Sequence, residues 1–157
     1  MKNEMRLLFD AYSSNEAFAR TAVAAFVMQL DPTLEEISDI KTALSEAVTN
    51  AIVHGYEEAE GVVEVHCRVE GRSITISITD TGKGIADIQK AMEPLYTGKP
   101  EAERSGMGFT VMEAFMDSVS VQSVLYEGTT VTMEKELRTH DVRDELFSVV
   151  DTKISEA

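Results

Sequence analysis

Four short stretches of this chain carry residues that could do chemistry together: Glu46 and Asn50 in S-E-A-V-T-N-A, Asp80 with Gly82 and Gly84 in D-T-G-K-G, Gly106 and Gly108 in S-G-M-G-F, and G-T-T-V at 128–131. Glycines at the opening of a helix leave backbone N–H groups and the positive end of the dipole free, and that is where phosphate binds well. They also let a ligand approach the backbone closely. The remaining residues are ambiguous singly. An Asp beside glycines after a strand is equally ordinary turn chemistry, and a lone helix carboxylate such as Glu46 is usually solvated. Cys67 is the only cysteine and the three histidines are scattered, which rules out an internal disulfide and disfavours a zinc cage. Any metal is therefore a hard cation held by carboxylate or phosphate oxygens. The common nucleotide signatures G-x-x-x-x-G-K-[ST] and G-x-G-x-x-G are both absent.

Positioning these residues requires particular elements. Ser13 or Ser14 can cap a first helix that runs on through Ala17, Ala19, Ala22, Ala24 and Ala25 toward Leu30, where Asp31-Pro32 breaks it. A second helix is predicted from near Thr33 to Gly55, with Ile37, Ile40, Leu44, Val48 and Ala51 recurring as one apolar stripe. On its wheel Glu46 and Asn50 lie away from the stripe and one turn apart, on a face shared with Ala43 and edged by Ala47. Residues that small invite something to approach the helix closely.

Alternation over 62–69 and 73–79 predicts two antiparallel strands joined at Glu70-Gly71-Arg72, the second running directly into D-T-G-K-G. From there to Ser105, polar residues with Pro94, Gly98 and Pro100 predict a long mobile segment. A helix over 109–117 and strands over 119–124 and 129–133 complete the pattern. Clustered strands with helices on one face make an α+β fold, a two-layer α/β sandwich with a mixed or antiparallel sheet.

The chain of 157 residues has the size of one domain, with 43% hydrophobic and 27% charged residues. No apolar run approaches the roughly 20 residues a membrane span needs, and the first ten residues lack the h-region of a signal peptide, so a cytoplasmic location is expected. The net charge of −14 disfavours nucleic acid and anionic membranes, both of which reward clustered Lys and Arg. A protein partner is easier to accommodate.

The four stretches, in this order, resemble the GHKL (Bergerat) ATPase superfamily over roughly residues 8 to 137. S-E-A-V-T-N-A-I-V-H-G, L-Y-T-G-K-P and E-R-S-G-M-G-F-T-V-M-E are most similar to its bacterial anti-sigma factor serine kinases, the sporulation anti-sigma F branch above all. The resemblance implies ATP or ADP with Mg²⁺ as cofactors. Glu46 would serve as base or orienter for the attacking hydroxyl, Asn50 as the Mg²⁺ ligand, and Asp80 as the carboxylate that reads the adenine amine. Gly82 and Gly84 would make room for the base, with Thr129 supporting the Asp80 side. The lid, about 95–105, would bring Lys99 and Arg104 to the phosphates, beside Gly106 and Gly108. His54 would cap or pack the helix end, since the acceptor histidine of two-component kinases lies on a separate upstream helix.

The same resemblance implies an anti-sigma factor that inhibits an RNA polymerase sigma factor, that of sporulation (sigma F), and phosphorylates a serine of an anti-anti-sigma protein. It further implies a homodimer, and a partner surface containing Glu16 and Arg20 in S-N-E-A-F-A-R. Two alternatives stand beside it: a nucleotide-dependent sigma-binding module without kinase activity, and the stress-response branch of the same family. A chaperone-like or topoisomerase-like clamp is disfavoured because no transducer domain fits. The domain is expected over 1–137. The remaining 138–157 forms an extension of unassigned role in which Val142, Leu146, Val149 and Val150 recur at helical spacing.

Overall fold

The computed structural model describes residues 1–57, 59–93 and 108–138. Five strands, β1 (Lys2–Asp10), β2 (Val62–Glu70), β3 (Ser73–Asp80), β4 (Ser118–Val124) and β5 (Gly128–Glu136), form one sheet in the order β1-β2-β3-β5-β4. All four ladders are antiparallel, which settles the mixed-or-antiparallel expectation. The helices are α1 (Ser14–Val27), α2 (Leu34–Asn50), the single turn α3 (Ile88–Ala91) and α4 (Gly108–Phe115).

One face of the sheet is apolar and lies under the helices. Val63, Val65, Ile74, Ile76 and Met133 point inward and meet Val23 and Val27 of α1, Ile40, Leu44 and Val48 of α2, and Met112 of α4 in a single buried core. The opposite face carries polar side chains: Ser77 lies 3.2 Å from Thr132 and Thr79 lies 3.0 Å from Thr130, oxygen to oxygen. A two-layer α+β sandwich follows, as the strand alternation requires.

The helix start at Thr33 is a full capping box. Its hydroxyl accepts from the Glu36 N–H at 3.0 Å and the Glu36 carboxylate accepts from the Thr33 N–H at 3.0 Å. The second Glu36 oxygen accepts from the Arg138 N–H at 2.9 Å, tying the end of β5 to the start of α2. At its other end α2 does not stop at Asn50 but widens into a π-helical turn, Ala51–Gly55. Such turns often sit at functional sites.

Two elements depart from the sequence expectation. β1 is an edge strand whose inward residues are Met5, Leu7 and Phe9, with Leu8 interrupting the alternation and only Phe9 buried. Its hydrogen bonds come from β2, some sixty positions on, a pairing that local pattern does not reveal. The segment expected to be mobile from 85 onward contains α3, whose Asp87 side chain accepts from the Lys90 N–H at 3.0 Å. Residues 94–107, and the extension from 139 on, lie outside the described residues.

Candidate nucleotide site

Where the C-terminal end of α2 meets the end of β3, the structure opens a cavity of about 390 Å³, within the range of small-molecule sites. Asn50, Asp80, Gly84, Gly108 and Thr129, five of the residues singled out above, line it. Glu46 stands next to it. An added Cβ on Gly108 would lie 3.1 Å from Asn50 Nδ2 and 3.4 Å from Glu46 Oε2, so both side chains point at the first residue of α4. The small face of α2 thus has its occupant: Ala43 and Ala47 are buried where α4 packs against α2.

Asp80 is only 6% exposed. Its Oδ1 accepts from the Gly82 N–H at 3.0 Å, and the carboxylate also accepts from the backbone of Thr129, its cross-strand partner on β5. Burial pushes the Asp80 carboxyl above the usual aspartate range, while those two N–H donors pull it back. A buried carboxylate that lines the cavity suits an exocyclic amine, which donates and does not accept.

The loop after β3 is held by the turn that ends α2. The Lys83 N–H donates to the Gly55 carbonyl at 2.8 Å, and Lys83 Nζ pairs with Glu57 at 2.7 Å. Gly82 does not line the cavity; a Cβ there would overlap the Gly55 carbonyl, so the room it makes is for backbone. Gly84 lines the cavity at φ +73°, in the left-handed region, with its back against the Val124 carbonyl. Gly55, Lys83 and Lys90 also line the cavity. No local signal marks Gly55 or Lys90 as ligand-facing, whereas Lys83 stands inside D-T-G-K-G. His54, expected to cap or pack the helix end, is half-buried in the same wall.

Glu16 and Arg20 form an i,i+4 pair on α1 at 3.5 Å, with the Arg20 side chain 39% exposed. Lys99, Arg104 and Gly106 lie outside the described residues.

Among the described residues no group of three or more His, Cys, Asp or Glu side chains could hold a metal by itself. Asn50, which lines the cavity, carries an amide oxygen that could serve as one ligand to a cation also held by a ligand's phosphate oxygens and water. Among the described residues no helix is long and apolar enough to cross a membrane.

Residues 11–135 match the histidine kinase-like ATPase domain family. An anti-sigma F factor of Clostridium botulinum (strain Eklund 17B / Type B) is 61% identical over 135 residues, covering 85% of this chain and 94% of the relative. That of Anoxybacillus flavithermus is 58% identical over 138 residues, covering 87% of this chain and 94% of the relative. Among solved structures, one of the RsbU and RsbW domains of a Mycobacterium tuberculosis protein aligns with a TM-score of 0.64 at 20% identity. It covers 87% of this chain, which spans about a third (33%) of that protein, and at that identity the likeness speaks for the fold.

Proposed function

The chain belongs to the histidine kinase-like ATPase family, within its anti-sigma F factor branch, and from that premise we propose that it binds and inhibits an RNA polymerase sigma factor, that of sporulation, and uses Mg-ATP to phosphorylate a serine of an anti-anti-sigma protein. The observation that carries the reading is the convergence of Asn50, Asp80 and Thr129 on one cavity with Glu46 at its edge.

Each residue then has a task. Asp80, held by the Gly82 and Thr129 N–H groups, accepts from the adenine amine and so selects ATP or ADP over guanine nucleotides. Asn50 offers its amide oxygen to Mg²⁺, which when bound would neutralise phosphate charge. Glu46, one helical turn before it, orients the incoming serine hydroxyl and takes its proton. Gly108 at the N-terminus of α4, with Gly106, Lys99 and Arg104 of the preceding segment, contacts the phosphates. Glu16 and Arg20 belong to the partner-binding surface of α1. The working form is a cytoplasmic homodimer, and the net charge of −14 leaves nucleic acid and membrane outside its partners.

Retention of the purified sigma factor on the immobilised chain, with Mg-ATP, with Mg-ADP and without nucleotide, tests the binding half. Nucleotide-dependent retention that Arg20→Glu abolishes is expected. Equal retention in all three conditions would contradict a nucleotide-linked anti-sigma role, and wild-type retention by Arg20→Glu would remove Arg20 from the interface.

A further inference from the structure

The loop that carries the cavity wall after β3 is fastened at both ends by hydroxyl groups that do not themselves line the cavity. At the near end Tyr56, 8% exposed, accepts from the Thr81 N–H at 2.8 Å and donates to the Val62 carbonyl at 2.5 Å. At the far end Ser123 of β4 accepts from the Ile85 N–H at 2.7 Å and donates to the Gly128 carbonyl at 3.0 Å. Between them the Gly82 N–H is held by Asp80 at 3.0 Å and the Lys83 N–H by Gly55 at 2.8 Å. The Ser123 hydroxyl also lies within hydrogen-bond distance of the Thr129 hydroxyl, at 2.8 Å.

We propose that Tyr56 and Ser123 are positioning residues for the nucleotide base: by fixing Thr81 and Ile85 they hold Asp80 and Thr129 in the one arrangement that accepts an amine, and so set selectivity for adenine over a 6-oxo purine. The inference rests on the ATP reading above. Its physical basis is preorganisation. An acceptor already held in place loses no freedom when the base arrives, whereas a buried N–H left without its partner draws the loop toward some other acceptor. Tyr56→Phe keeps the ring and removes a single oxygen that serves both Thr81 and Val62. Ser123→Ala frees Ile85 and lets the Thr129 hydroxyl rotate. Ser123→Thr retains the oxygen at a strand position that tolerates a β-branched residue.

The test measures the affinities of Mg-ATP and Mg-ITP, the latter carrying a 6-oxo group in place of the amine, for the full chain and the three variants, with Tm recorded for each. Tyr56→Phe and Ser123→Ala are expected to weaken ATP about 5- to 30-fold and ITP much less, so that the ATP-to-ITP ratio collapses, while Ser123→Thr keeps it. A merely structural role would lower Tm and both affinities together, and an unchanged ratio in Tyr56→Phe and Ser123→Ala would overturn the inference. A wild-type chain that binds no ATP would instead overturn the reading on which it rests.

Discussion

Gly55→Ala should separate nucleotide binding from folding. A Cβ on Gly55 would sit 2.8 Å from Cγ and Oδ1 of Asp80 and 2.9 Å from Oδ2, whereas ordinary contact begins near 3.4 Å. The carboxylate must then retreat by about 0.6 Å, the difference between 3.4 and 2.8 Å, which stretches hydrogen bonds that now have ordinary lengths. Gly55 is not among the positive-φ glycines, so alanine suits its backbone, and its helix propensity exceeds that of glycine by about 1 kcal/mol. The fold should stay within a few degrees of the wild-type Tm. Misplacing one charge-assisted hydrogen bond costs about 1.5–3 kcal/mol, which is about a 10- to 150-fold loss of ATP affinity. Titration calorimetry with Mg-ATP, paired with thermal unfolding of the same samples, measures both. Affinity within twofold of wild type would refute the placement of Asp80 as the base-reading group.

Two further outcomes follow from charge and capping. Because burial raises the Asp80 carboxyl, its protonation on acidification sets in above the roughly pH 3.9 of an ordinary aspartate. The ATP-to-ITP affinity ratio should start to fall above that pH, a ratio being used because it cancels titration of the phosphates. The sign for stability is opposite. A folded-state pKa above the unfolded one means that the ionised group opposes folding, so Asp80 costs stability above its folded pKa and the cost lifts as pH falls through it; a ratio that is flat down to pH 4 would contradict the assignment. Glu36→Ala removes acceptors from the Thr33 and Arg138 N–H groups and should lower stability by about 2–4 kcal/mol, or Tm by about 5–15 °C. Since Glu36 lies about 20 Å along α2 from Asn50, ATP affinity below the transition should hold; a stable variant would show that the clasp contributes little.

Much of the site could be read from local pattern. The apolar stripe of α2 places Glu46 and Asn50 together on the opposite face, and the alternation of β3 delivers Asp80 to the end of its strand, where burial on one side is assured. Ala43 and Ala47 announced a close neighbour but not its identity, which is α4. What escaped depends on contacts between distant stretches. β1 is defined by its partner strand more than by its own residues. Gly55 looks like an ordinary helix stop until the chain returns and sets the Asp80 carboxylate against it. Gly82 looks like ligand-facing glycine, yet it faces the Gly55 carbonyl. Tyr56 and Ser123 carry no motif at all, because their importance lies in which backbone N–H groups reach them.

The claim that joins these observations is that Glu46 and Asn50 serve phosphoryl transfer from ATP bound at Asp80. Transfer of the labelled γ-phosphate of Mg-ATP to an anti-anti-sigma protein, followed for the wild-type chain, Glu46→Gln and Asn50→Ala, tests it most directly. Label on a serine of the acceptor is expected with the wild-type chain, and its loss in both variants. Undiminished transfer in both variants would contradict it, as would a wild-type chain that binds ATP and its sigma factor yet labels no acceptor.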